Sequence, residues 1–309
     1  MAKAANVSTG TVSRVLNNRE RVHPDTRERV LNLAREIGLT PQATVRNREV
    51  AIVTAPEFPD RQTGYSAKMA SVLAYALSEK RIGVLLPSDP ERLLPDYYLD
   101  GVIAVTYSTR LLEMLERLEQ RMPVVYIDYF LGKTEKATVN SDHRASGYIA
   151  ARHFIERGKS KLGFISRDLE PFRERLVGYR DAIQDAGQTP NEKLLFLGDE
   201  KTNIFTMITR AVRNGADALF IPGTSMQAVQ GMHVLQYVMG KRIPEDVAII
   251  GSESEAVSEF MTPPMTTVYE PLIDMAKAAS TMMHDLCEGK TVSQRQRVIP
   301  VNLVERESV

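Results

Sequence analysis

From residue 50 onward the chain alternates between two textures. Short apolar runs at 50–54, 82–86, 101–105 and 124–127 are separated by stretches with apolar residues three and four apart, at 66–79, 110–121 and 144–157. After Gly158 the alternation restarts, with runs at 161–165, 193–197, 218–221 and 247–250 and helical stretches at 173–186, 204–214 and 225–239. Apolar runs of four to six residues between amphipathic helices predict strands of parallel sheet buried on both faces. Repeated β–α units wind into doubly wound sheets, and the restart near residue 160 predicts two similar ones.

The first 48 residues follow a different pattern. Residues 4–17 read as the end of one short helix, a tight turn at Asn6 and a second helix capped by Ser8. Asn tolerates the left-handed backbone that such a turn needs, and a serine hydroxyl accepts one of the open amides of a first helical turn. Val12, Val15 and Leu16 fall on one face of the second helix; Thr9, Gly10, Thr11, Ser13, Arg14 and Asn17 fall on the other. Short hydroxyls and one guanidinium suit a helix that enters a DNA major groove, where Arg forks onto guanine and hydroxyls reach phosphate. A third helix starts at Pro24, carries a stripe of Thr26, Val30, Leu33 and Ile37, and stops at Gly38; a polar linker follows at 41–48. These patterns predict a helix-turn-helix head over 1–48 and an α/β body over 49–309.

Overall charge alone argues against a nucleic-acid partner, because 39 basic residues balance 39 acidic ones. The distribution reverses that argument: residues 1–48 hold nine Lys or Arg against four acids, a net +5 on a small unit. A basic head on a mildly acidic body is an electrostatic footprint for phosphate. Cys287 is the single cysteine, so the chain has no internal disulfide, and a reducing cytoplasm is the expected setting. The start of the chain lacks a signal-peptide core, and no apolar run nears the roughly 20 residues of a membrane span. Phosphate-loop, metalloprotease and nucleophile-elbow motifs are absent, and the five histidines are never spaced i, i+4. Neither catalysis nor a metal or other cofactor is expected, and His143 reads as a lone solvated residue.

The run Val7-Ser8-x-x-Thr11-Val12-Ser13-Arg14-Val15-Leu16-Asn17 resembles the signature of the lactose-repressor (LacI/GalR) family. Asp100–Ile103, Pro123–Asp128, Gly147–Ala150, Arg175–Arg180, Ile243–Ala248, Pro263–Val268 and Leu303–Ser308 resemble further family landmarks, so the likeness covers essentially the whole chain. It implies a DNA-binding head joined to a two-lobed sensor like a periplasmic binding protein. The expected lobes are 49–158 with 273–297, and 161–269 with the closing strand, joined by crossings near 158–161, 269–273 and 297–301.

The resemblance implies a homodimer on palindromic operator DNA, controlled by a small effector, a sugar or sugar derivative, in the inter-lobe cleft. Its DNA contacts fall on Ser8, Thr9, Gly10, Thr11, Ser13, Arg14, Asn17 and Arg46, and its effector contacts on Tyr65, Asp142, Arg175, Phe220 and Glu253. Five departures stand out. Gly223-Thr224 replaces Asn-Asp, and Gly251-Ser252-Glu253-Ser254 replaces Gly-Phe-Asp-Asp. In the hinge, Val45 and Arg48 occupy the alanine and leucine positions, which predicts weaker DNA bending or wedging by Val45. The segment 86–100 is shorter than a full helical excursion, and Met1–Ala4 matches only the tail of the family's first helix. The competing reading is a solute-binding protein with a non-functional head.

Overall fold

In a computed structural model, which describes residues 1–16, 22–36, 48–54, 64–94, 97, 99–129, 135–199, 202–223, 225–253 and 257–309, the head begins with a single turn. Ala5 N donates to Met1 O at 2.8 Å and Val7 N to Ala2 O at 3.0 Å. Asn6 then reverses the chain at φ 51°. Helix α1 (Thr9–Leu16) follows, and α2 (Pro24–Glu36) packs against it. Ser8 caps α1 as expected, its Oγ accepting the Thr11 amide at 3.0 Å. Ala5, Val12, Val15 and Val30 form the head's small buried cluster. With so few apolar contacts the cap weighs heavily: Ser8→Ala is expected to cost about 1 kcal/mol of local stability. Hydrogen exchange should show amide protection across 9–16 falling about fivefold, with the body unaffected. Asn17, the expected stop at Gly38, and linker residues 41–47 including Val45 and Arg46 lie outside the described residues.

The body contains two six-stranded sheets. The first runs β11 (Gln296–Ile299), β5 (Ala137–Ser141), β4 (Val124–Ile127), β3 (Gly101–Val105), β1 (Glu49–Thr54), β2 (Gly83–Leu85), all parallel. The second runs β12 (Asn302–Val304), β10 (Thr266–Tyr269), β9 (Ala248–Glu253), β8 (Ala218–Ile221), β6 (Leu162–Arg167), β7 (Leu195–Gly198), with only β12 antiparallel. Burial of the central strands on both faces explains their continuous apolar runs. Helices α3 (Tyr65–Glu79) and α10 (Leu272–Cys287) cover one face of the first sheet and α5 (Thr109–Leu118) the other. On the second sheet, α6 (His143–Glu156) and α7 (Glu170–Asp185) lie opposite α8 (Ile204–Arg213) and α9 (Ser225–His233). The excursion at 86–100 contains one helical turn, α4 (Pro90–Leu93).

The chain passes between sheets at 141–143, 269–272 and 299–302. The first crossing corrects an expectation: residues 144–157 were assigned to the first lobe, yet Ala150, Ala151 and Phe154 of α6 pack with Leu162, Phe164 and Leu176 in the second lobe's core. The turn at Gly158 is a loop inside that lobe; the crossing is the two-residue step from β5 into α6. Strand β5 itself was not read from sequence, because Thr138 and Asn140 interrupt its apolar positions.

Helices α6 and α7 meet at two glycines. A Cβ on Gly147 would lie 1.8 Å from Arg175 O, and one on Gly178 would lie 1.9 Å from Arg144 O. This backbone-to-backbone approach sets where Arg175 emerges from α7.

Candidate ligand cleft and nucleic-acid interface

Ser8, Thr9, Gly10, Ser13 and Arg14 are exposed on α1 and Thr11 is half-buried, while Val12 and Val15 point into the head. The polar face expected from sequence is therefore presented outward. Arg48, placed by sequence in the hinge, forms an ion pair with Glu288 just beyond α10.

Between the lobes lies a cavity of about 260 Å³. Its walls come from segments at the carboxyl ends of β3, β4, β6 and β8, where open α/β sheets place their ligands. Tyr65, Ser66, Tyr107 and Asp128 line it from the first lobe; Arg167, Phe172, Arg175, Gln227 and Gln230 line it from the second. His143 and Glu270, which also line it, stand at the first two crossings.

Asp128 organises the first-lobe wall. At φ 53° its backbone turns out of β4, and its carboxylate accepts from the Ser141 amide at 3.0 Å, from His143 Nε2 at 3.0 Å and from the Tyr65 hydroxyl. Burial pushes this carboxyl up, but the His143 ring, Tyr65 and the Ser141 amide outweigh burial and hold it below the usual carboxylate range. Burial first, then the Asp128 charge, raises the Tyr65 phenol well above its ordinary value, so Tyr65 stays a neutral donor. Burial and Asp128 do the same for Tyr107, against a smaller opposing pull from Arg175.

The second-lobe wall centres on Arg175, which is 3% exposed. Its guanidinium pairs with Glu270, itself buried, and lies 5.1 Å from the Phe172 ring centroid. Among the described residues Arg175 Nε has no hydrogen-bond partner. A ring face, a guanidinium, carboxylates, phenols and carboxamides together make a surface that grips a small polyfunctional molecule by hydrogen bonds on both lobes.

Of the residues that sequence placed here, Tyr65 and Arg175 line the cavity. Phe220 does not. It is fully buried among Phe164 and Tyr179, stacked on Tyr179 at 5.9 Å, because its position on β8 faces the α6–α7 side of the sheet. Asp142 caps α6, accepting the Ala145 amide at 2.8 Å, and is absent from the described cavity lining. Glu253 ends β9 in register with Tyr269; its side chain lies outside the described residues, as does Thr224. His143 is buried against the Asp128 carboxylate, with Nε2 3.0 Å from it, rather than solvated. Sequence reasoning missed Asp128, Glu270, Tyr107, Phe172, Gln227 and Gln230. The available signal was positional: Asp128 and Glu270 are carboxylates directly after apolar strands, where the ends of a parallel sheet collect functional groups.

Among the described residues no His, Cys, Asp and Glu cluster could hold a metal ion, and no helix is long and apolar enough to cross a membrane.

Comparisons with known proteins agree with this geometry. Residues 1–42 match the family of bacterial regulatory proteins, lacI family, and residues 151–309 match the periplasmic binding protein-like domain. The HTH-type transcriptional regulator CelR of Thermobifida fusca is 30% identical over 332 residues, spanning 100% of this chain and 96% of the relative. The HTH-type transcriptional repressor PurR of Klebsiella pneumoniae (strain 342) is 27% identical over 333 residues, spanning 100% and 95%. The structure of a transcriptional regulator CelR–cellobiose complex superposes with a TM-score of 0.75 at 30% identity, covering 100% of this chain and 98% of that one. The Lac repressor bound to ONPG, at 18% identity, shares the fold with a TM-score of 0.78, covering 100% and 98%. A helix-turn-helix head on a two-lobed sensor defines a ligand-controlled, DNA-binding regulator of transcription rather than an enzyme. The chain belongs to the LacI family.

Proposed function

We propose that this regulator is a repressor of carbohydrate-utilisation genes that binds palindromic operator DNA as a homodimer and responds to a sugar or sugar derivative in the inter-lobe cleft. The observation that carries this reading is the cleft wall itself. Hydrogen-bonding groups from both lobes converge there beside the Phe172 ring, a combination suited to hydroxyl edges and an apolar sugar face. The likeness to a regulator solved with cellobiose supports the same ligand class.

On the DNA side, Thr9, Gly10 and Arg14 are assigned to base edges, Thr11, Ser13 and Asn17 to phosphates, Ser8 to the helix cap and Arg46 to the minor groove at the hinge. Two heads on a symmetric body read two half-sites. Ligand closure of the cleft would then change head spacing, a coupling of typically ~1–3 kcal/mol.

The test is a salt titration of binding to palindromic and random DNA, with Arg14→Ala alongside. Affinity is expected to fall steeply with salt and to prefer the palindrome, and Arg14→Ala to lose about 1–3 kcal/mol of that preference. Binding that ignored both salt and sequence would leave a solute-binding protein with an idle head.

A further inference from the structure

The charges in the cleft are matched before any ligand arrives. Arg175 and Glu270 form a buried ion pair on the wall, both more than nine-tenths buried, and Asp128 is held by His143 and Tyr65. Among the described lining residues, the guanidiniums of Arg167 and Arg175 match the carboxylates of Asp128 and Glu270 in formal charge.

We propose that Glu270 is a specificity-determining residue that restricts the cleft to uncharged polyhydroxy ligands and excludes their phosphate esters and carboxylates. This rests on the carbohydrate reading above and narrows it. A guanidinium facing a cleft is by itself an anion receptor, because its planar fork fits phosphate and carboxylate. With Glu270 on the same guanidinium, an incoming anion meets a fixed negative charge in a water-poor site, and the like-charge contact opposes it. A hydroxyl suffers no such conflict: it accepts from the Arg175 fork and donates to the carboxylate in one contact. The neighbouring groups favour the same chemistry. Gln227 and Gln230 offer neutral carboxamides, and Gln227 Oε1, a buried acceptor without a hydrogen-bond partner among the described residues, needs a donor that a fully ionised phosphate group lacks.

Gly223 belongs to this design. A Cβ there would lie 1.9 Å from Gln227 Oε1, so the small residue makes room for the glutamine one helical turn later. The polar group that the sequence seemed to lose at 223 is supplied from α9.

The experiment is calorimetric titration at fixed ionic strength of the full chain with cellobiose, glucose and ribose, and with glucose 6-phosphate, ribose 5-phosphate and glucuronate. The neutral sugars are expected to include binders, and each charged derivative to bind weaker than its parent by on the order of tenfold or more. In Glu270→Gln that gap should close or invert, while Glu270→Asp, which keeps the charge, should retain it. A purely structural role for Glu270 would weaken neutral and charged probes by the same factor, leaving the ratio unmoved and overturning the proposal. A charged derivative that binds the wild type as well as its parent also overturns it, with the carbohydrate reading intact. Silence from every probe, beside salt-dependent operator binding, removes the carbohydrate reading and this inference together.

Discussion

Gly178→Ala is expected to destabilise the body by about 3 kcal/mol or more and to weaken ligand binding in whatever fraction remains folded. The added methyl would sit 1.9 Å from Arg144 O, and a helix backbone cannot yield as a flexible side chain can. Relief requires α7 to withdraw from α6, and α7 carries both Arg175 and Phe172. Stability and affinity should therefore fall together. Gly187→Ala is the control: it has open space around its Cβ but φ +74°, so its cost should be conformational only, about 1–2 kcal/mol, with affinity unchanged. Equal effects at both glycines in urea unfolding would refute the close-packing account.

The second large effect belongs to Asp128→Ala. Removing this carboxylate strands the His143 ring, the Tyr65 hydroxyl and the Ser141 amide in a buried corner, for an expected loss of about 3–5 kcal/mol near neutral pH. The pH profile gives a sharper readout than the magnitude. Because the folded protein holds this carboxyl below 3.8, its ordinary value, the stabilisation is complete above about pH 3.8 and is lost as pH falls through the folded value. The gap between wild type and variant should therefore shrink as pH falls through the folded carboxyl's range. A gap that stayed constant down to the acid limit of folding would show that the carboxylate charge plays no part.

Much of this molecule was legible in advance, for physical reasons that differ from element to element. The head could be read residue by residue because caps and turns are local: Asn6 takes a left-handed backbone and Ser8 holds an amide three residues on, and neither depends on distant chain. The central strands were legible because burial on both faces leaves an unbroken apolar run. Strand β5 was hidden because Thr138 and Asn140 spoil that run even though the strand lies between two others. The lobe of α6 was hidden for another reason. Periodicity locates a helix and its apolar stripe, but not which of two similar sheets the stripe will cover.

The cleft was half-legible on the same grounds. Arg175 was reached through the likeness of residues 175–180 to a family landmark, and it does line the cavity. Phe220 misled because an aromatic at the end of a strand can face the core or the cleft, and a one-residue difference in register decides which. Asp128 and Glu270 acquire meaning only through partners 15 and 95 residues away, His143 and Arg175. Position after a strand marks the two carboxylates as candidates, but the pairing that gives each its role leaves no trace in local pattern.

The third crossing has a consequence for how the protein comes into being. β11 completes the edge of one sheet and β12, three residues later, pairs with β10 at the edge of the other; Ser308 beyond them bonds Ile249 O at 2.6 Å and the Thr266 amide at 2.8 Å. On the ribosome, residues 296–308 are made after every other strand of both sheets. The small head, whose buried residues among those described lie within 1–34, can close long before that moment. A product abandoned before residue 296 would thus carry a folded helix-turn-helix head on an unfinished sensor. Sealing both lobes with β11 and β12 ties the sensor's competence to the synthesis of residues 296–308.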